Sequence, residues 1–280
     1  MEQNGIMARL NMNVKNKKAF TLVELLVVIS IIASLFSILM PALSTARSHA
    51  RTAICKSNVR QLILANTGYA NENDNYYVPA AEDVNAQYGG LHRWHGARPT
   101  PNDAFDPLKG PLVKYLADGK VKECPEKKVF IQSTKWDGSF EKGCGGYGYN
   151  MAYIGGRYGH AGVDGSIGHK LTAKTSDIGR TAETVMFADS AYLKNGNLIE
   201  YSFAEAPYSL YNGRIVTYSL MYPTIHFRHR GKANVGWVDG HISSQEMAKY
   251  EGKNAAYLAR FAAVHLGWFG PLDNSLFDLK

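Results

Sequence analysis

Residues Lys17–Leu43 read KKAFTLVELLVVISIIASLFSILMPAL. Two lysines lead into a long apolar run. One carboxylate, Glu24, interrupts it at the fifth position when Phe20 is counted as the first, and no side chain from Leu25 to Ala46 is charged. As a helix rising about 1.5 Å per residue, that stretch is roughly 33 Å long, enough to cross a hydrocarbon core of about 30 Å. Its Val and Ile residues are mediocre helix formers in water, but a backbone in lipid must satisfy its own hydrogen bonds, so a helix is expected there. A carboxylate at membrane depth costs about 3 kcal/mol and normally has a partner or a function. Glu24 lies near the start of the span, where it can snorkel to the interface. It can also pair with a cation from another chain, and an α-amino group freed by cleavage before Phe20 is such a cation.

Two plainer readings compete. A secretory signal peptide has a positive start, an apolar stretch and a small-residue cleavage site, for which Ser44-Thr45-Ala46 qualifies; the apolar run is too long for one, and it contains Glu24. An ordinary signal anchor leaves Glu24 unexplained.

The run Lys17–Glu24 resembles the processing site of type IV prepilins and type II secretion pseudopilins. The resemblance implies a prepilin peptidase that cuts on the cytoplasmic side, after Ala19, and an N-methylated new terminus at Phe20. It also implies that Glu24 guides assembly by pairing with a neighbour's amino terminus. Ala19 departs from the family, which usually has Gly before the cut. Pro41 matches a helix-bending proline common in these proteins; by itself it marks only a kink or a local repair. The implied partners are the peptidase, other pilin or pseudopilin subunits, an inner-membrane secretion or pilus assembly platform, and the lipid bilayer. The implied location is the inner membrane, crossed once, with the leader cytoplasmic and the body periplasmic or extracellular. Charge alone does not orient the span, because Arg47, Arg51, Lys56 and Arg60 follow it while Arg9, Lys15, Lys17 and Lys18 precede it.

The chain divides, on this reading, into a leader (1–19), a membrane part of the helix (20–43), an amphipathic stalk helix (44–70) and a body (71–280). Cys55, Val59, Leu62, Ile63, Ala65 and Tyr69 recur at helical spacing on one side of the stalk. Asn71–Asn75 ends it with turn formers. The tract to about Lys174 is rich in Pro, Gly and Tyr and is expected to be an ordered, irregular insertion with a few short strands and a short helix at Leu112–Leu116. Strands are expected at Thr184–Asp189, Arg214–Met221 and Asn234–Val238. A hairpin turn centred on Asp239-Gly240 follows, then a return strand at His241–Ser244 and a helix over Glu246–Val264. The fold class is α+β, pilin-like: a long N-terminal helix packed on an antiparallel sheet. Net charge is +7 over 280 residues, with much of it around the span. That distribution gives no nucleic-acid stripe.

A second distinctive stretch is His226–His241, in which nine residues separate His229 from Asp239-Gly240. It resembles the C-terminal H-x9-DG signature of proteins related to the major pseudopilin of type II secretion. Cys55–Gln61, Cys124-Pro125 and Tyr147–Asn150 resemble the same group. Major pseudopilins bind calcium in a C-terminal loop, but one Asp flanked by histidines is a poor calcium set. His229, Asp239 and His241 would suit zinc better, at a spacing that matches no known site, and Asp189 could join His229 and Asp239 around a cation. The alternative is that Asp239-Gly240 is a turn and His229 a packed, hydrogen-bonded ring.

Cys55, Cys124 and Cys144 allow one disulfide and a free thiol in an oxidising compartment. Cys55–Cys124 is preferred over Cys124–Cys144, and three buried thiols remain the alternative. No nucleophile elbow, zinc-protease motif or phosphate loop is present, so an enzyme is not expected. Asp137-Gly138-Ser139 and Asp164-Gly165-Ser166 read as turns. Trp94, Trp136, Trp237 and Trp268 either form a sugar-binding face or belong to the core. The sequence therefore supports a pseudopilin-like filament subunit. The alternative is a membrane-anchored binding module for glycans or another ligand, sorted through the prepilin route. No cofactor is required by either.

Overall fold

The computed structural model describes residues 20–84, 90–127, 130 and 141–280. Ala19 with the leader, Trp136 and Asp137-Gly138-Ser139 lie outside the described residues. The chain forms two compact units, Met1–Arg47 and Ser48–Lys280. A single helix, α1, runs from Leu22 to Glu72 and contributes to both.

In the first unit, every large apolar side chain of α1 from Leu22 to Leu43 is exposed. Pro41 lies inside the helix and does not end it. The helix is long and apolar enough to cross a membrane. An apolar surface all round a helix is the pattern of a segment made for lipid or for a protein interior.

In the second unit the same helix buries one face. Cys55, Asn58, Val59, Leu62, Ile63, Ala65, Asn66 and Ala70 are buried, at the three-and-four spacing that puts residues on one side of a helix. Two buried amides anchor this face. Asn58 Nδ2 donates to the Glu123 carbonyl and to Tyr147 Oη, and Asn66 Oδ1 accepts the Val78 N–H. The helix ends where Asp74 and Asn75 take left-handed backbone angles, with the Asn75 N–H returning to the Ala70 carbonyl.

Short strands β1 (His92–Arg93) and β2 (Gly96–Ala97) pair with each other. The central sheet is built from β3 (Tyr147–Tyr149), β4 (Val185–Asp189), β10 (Lys232–Trp237) and β11 (Ile242–Glu246), in the order β11-β10-β4-β3, all antiparallel. Between β4 and β10 lie two hairpins, β5 (Tyr192–Lys194) with β6 (Asn197–Ile199) and β7 (Tyr208–Tyr211) with β8 (Arg214–Leu220). Strand β9 (Ile225–His226) pairs with β12 (Leu266–Gly267), which follows helix α2 (Ala255–Ala262). The arrangement is α+β and consistent with a pilin-like fold.

β3 and β4 are buried on both faces of the sheet, and β4 is apolar at every position but its last. Met186, Phe187, Tyr147 and Tyr149 pack with the buried face of α1. Val185, Ala188, Val235 and Trp237 pack with Leu258, Trp268 and Phe269. Gly236 sets how closely α1 approaches β10: a Cβ there would stand 2.6 Å from both Ile63 Cδ1 and Val59 Cγ1.

The described residues of the tract before Lys174 are ordered and largely irregular with three short strands, and they supply β3 and bury Trp94, Tyr147, Tyr149 and Ile154 in the core. Two sequence expectations are corrected. At Leu112–Leu116 there is one 3-10 turn, Val113–Tyr115. The helix expected over Glu246–Val264 is confined to Ala255–Ala262, because β11 claims the residues up to Glu246 by pairing with β10 and Gly252 takes φ 86°.

Two outcomes follow for the body. Gly236→Val forces α1 off the sheet and is expected to lower stability by roughly 1–3 kcal/mol in urea denaturation. The second concerns Glu205, which is buried and whose Oε1 accepts from Tyr201 Oη at 3.1 Å. Burial pushes its carboxyl from 4.5 up to about 7. The folded chain keeps a proton that the unfolded chain releases, so the contribution is fully present below pH 4.5 and is lost as pH rises through about 7. Relative to Glu205→Gln, the wild type should lose on the order of 3 kcal/mol across that window.

Candidate functional site

Two arrangements carry the residues singled out in the sequence, one in each unit. In the first, Thr21 and Glu24 close the start of α1 on itself. The Thr21 N–H and hydroxyl donate to Glu24 Oε2 at 2.9 and 2.6 Å, and Thr21 Oγ1 accepts the Glu24 N–H at 3.2 Å. This reciprocal arrangement is a capping box, and it is written in the sequence as Thr-x-x-Glu. It also places a negative charge at the positive end of the helix dipole. Glu24 therefore has a partner in its own chain, one residue from Phe20, which sequence reasoning overlooked because it sought the partner elsewhere.

In the second unit, four segments converge on Asp189, the last residue of β4. Its carboxylate is fully buried. Oδ1 accepts from Arg228 Nη2 at 2.8 Å and from the Cys55 thiol at 3.2 Å. Oδ2 accepts the Asn234 N–H at 2.7 Å and lies 3.3 Å from His229 Nε2. Cys124 Sγ accepts from Arg228 Nε at 3.3 Å and sits 3.4 Å from the same His229 nitrogen. Tyr147 Oη donates to Cys55 Sγ at 3.5 Å. Arg228 is further fixed by the Ser190 and Gly146 carbonyls. One ligand atom each from Cys55, Cys124, Asp189 and His229 lie within 4.8 Å of one another, all buried.

The charges balance. Burial would raise the Asp189 carboxyl, but Arg228 and His229 hold it below the usual carboxylate range. Burial would lower the His229 imidazole, yet hydrogen bonds to Asp189 and Cys124 raise it to about 9. The neighbouring Cys55 thiol pulls the Cys124 thiol down, with help from Arg228 and His229 against burial. Burial, joined by the neighbouring Cys124 sulfur, pushes the Cys55 thiol up.

These contacts redistribute the residues singled out in the sequence. His229 does not meet Asp239. The nine residues between them contain all of β10, and a six-residue strand spans about 20 Å. His229 sits before β10, in a turn where Arg230 and Gly231 take positive φ, and it pairs with Asp189. Asp239 and Gly240 lie after it, in the turn to β11. There Asp239 Oδ1 accepts the His241 N–H at 3.0 Å and faces His241 Nδ1 at 2.6 Å, and Gly240 has φ 94°. His241 stacks on Trp237. The set of His229, Asp239 and His241 is thus split. A calcium ion does not fit the turn, since it needs about six to eight oxygens and Asp239 offers one carboxylate already tied to its own loop.

The cysteines are free thiols. Cys55 and Cys124 stand together as the sequence preferred, but unbonded; Cys144 is buried apart from the set of four. Trp94, Trp237 and Trp268 are core residues whose indole N–H groups donate to the Ser202 carbonyl, Ser243 Oγ and the Glu205 carbonyl. They form no sugar-binding face. Asp164–Ser166 is a turn, with the Ser166 N–H donating to Asp164 Oδ1.

Residues 14–40 match the family model of the prokaryotic N-terminal methylation motif. The chain carries a prepilin-type N-terminus. The motif indicates the prepilin-type route, with processing by a peptidase and assembly with other pilin subunits, and together with the exposed apolar helix it marks a membrane-anchored protein. The chain matches no curated protein and no solved structure.

In the body the two aspartates should behave oppositely. Asp189→Asn leaves Arg228 and His229 buried without their counter-ion and is expected to cost roughly 3–5 kcal/mol. Asp239→Asn, in a turn that Asn also suits, should change stability by less than about 0.5 kcal/mol. Paired denaturation curves check both.

Proposed function

We propose that this chain is a pseudopilin-like structural subunit of a type II secretion or type IV pilus-like filament, with no catalytic activity. The peptidase cuts between Ala19 and Phe20, and the Phe20 amino group is methylated. The apolar half of α1 then packs among the same halves of neighbouring subunits in the inner membrane. The body faces the periplasm or the exterior and supplies contacts to partners and to the assembly platform. The observation that carries this reading is a coincidence in one place. The methylation motif, the Thr21–Glu24 cap and an apolar helix surface exposed all round fall together over residues 14–43.

In a filament, Glu24 accepts the amino terminus of an adjoining subunit. Its carboxylate is bonded to Thr21, the residue that follows its own Phe20. A free amine and a carboxylate in low dielectric attract strongly, which offsets the cost of burying either alone.

The mature protein, isolated from membranes, should begin at Phe20 with one added methyl group by mass spectrometry; a terminus at Arg47 would indicate an ordinary signal peptide. Two substitutions separate capping from charge. Glu24→Gln keeps a side chain that closes the capping box, whereas Glu24→Leu does not. Both should insert in the membrane and both should fail to enter filaments in a cross-linking assay. Normal incorporation of Glu24→Gln would sink the charge-pair account.

A further inference from the structure

We propose that Cys55, Cys124, Asp189 and His229 form a structural zinc site that fastens α1 to the body. The proposal does not rest on how the apolar half of α1 is used.

The donor set comes first. Two sulfurs, one imidazole nitrogen and one carboxylate oxygen are the ligand types of a tetrahedral, four-protein-ligand zinc centre, and soft thiolates select against calcium and magnesium. Typical zinc–ligand bonds place the donors of such a tetrahedron roughly 3.3–3.8 Å apart. Two edges of a tetrahedron using Asp189 Oδ2 already lie in this range, Cys124 Sγ to His229 Nε2 at 3.4 Å and His229 Nε2 to Oδ2 at 3.3 Å, while Cys55 Sγ meets the other carboxylate oxygen, Oδ1, at 3.2 Å. The remaining edges fall within 4.8 Å. Closing them shortens the longest separation by about 1 Å.

The surroundings are those of a metal site rather than of an ordinary polar core. The Thr52 hydroxyl donates to the Ser48 carbonyl at 3.0 Å, so toward His229 Nδ1, 3.3 Å away, its oxygen is the acceptor. That contact puts a proton on Nδ1 and turns Nε2 toward the sulfurs, as partners beyond the ligands do in zinc sites. Asp189 is oriented by the Asn234 N–H and Arg228, and Cys55 by Tyr147 Oη. Two thiolates and one carboxylate carry three negative charges; a divalent cation and the Arg228 guanidinium carry three positive. The loaded site is neutral, which a fully buried centre requires.

All four coordination positions come from the protein, and none opens to solvent. Such a closed set supports stability rather than chemistry. It joins four segments far apart in sequence: α1, the loop at Cys124, the end of β4 and the turn before β10. That is where a metal contributes most to folding.

The test uses the full-length protein extracted from membranes in detergent. Elemental analysis should find one zinc per chain. After chelation, cobalt(II) added alone should restore one equivalent and give the thiolate charge-transfer and intense d–d absorption of a tetrahedral sulfur site. Chelation should lower Tm on the order of 10 °C, and zinc should restore it. Cys55→Ser and Cys124→Ser should each lose the charge-transfer band. If those variants do not fold, the cobalt titration of the wild-type chain still decides. A Cys55–Cys124 disulfide in the isolated protein, a chelated chain that takes up no cobalt, or a cobalt spectrum without sulfur ligation would each overturn the proposal. A normal Phe20 terminus in any of these cases leaves the filament reading standing.

Discussion

A single carboxylate without access to water organises the body. Asp189 lies at the end of a strand with both faces covered, where an unpaired charge would cost several kcal/mol. It is tolerated because its acceptor positions are filled by donors from separate segments: the Cys55 thiol, the Arg228 guanidinium, the Asn234 N–H and the His229 ring. Each of those donors needs its own backbone held in place. The left-handed turn at Arg230-Gly231, the carbonyls that grip Arg228 and the amides that seat α1 against Tyr147 all serve that end. The polar centre and the apolar core therefore specify the same arrangement, and neither is satisfied if α1 shifts along the sheet.

α1 meets two solvents in one continuous helix. Up to Leu43 its side chains are apolar on every side, and from Cys55 they are apolar on one side only. The helical backbone suits both environments, because it satisfies its own hydrogen bonds wherever it lies. What changes is the side-chain pattern, from an all-round coat to a stripe. Pro41 sits close to that change, and the ladder absorbs its missing donor without ending.

Much of this was legible in the sequence, for identifiable reasons. The apolar run and the three-and-four stripe are dense, local signals. Thr184–Asp189, Asn234–Val238 and the Asp239-Gly240 turn are short patterns that β-branched residues and a hairpin dipeptide announce on their own. The centre of the body was not legible. His229 and Asp189 are forty residues apart, and the tempting partner, Asp239, is nearer in sequence but lies beyond a whole strand. The disulfide expected between Cys55 and Cys124 is not formed, and nothing local revealed that both thiols meet a carboxylate and an imidazole. The helix expected from Glu246 starts only at Ala255, because β11 holds Glu246 and Gly252 takes a left-handed angle that breaks the helical run. The Thr21–Glu24 box was there to be read.

That box has a consequence for what a proteolytic cut upstream would do. Both halves of the cap, and every residue of the first helical turn, lie downstream of Ala19. Severing the chain there would leave every hydrogen bond of that cap in place. The new end would carry Phe20 alone ahead of the capping threonine. Trimming would thus alter charge and reach while the helix start kept its own closure.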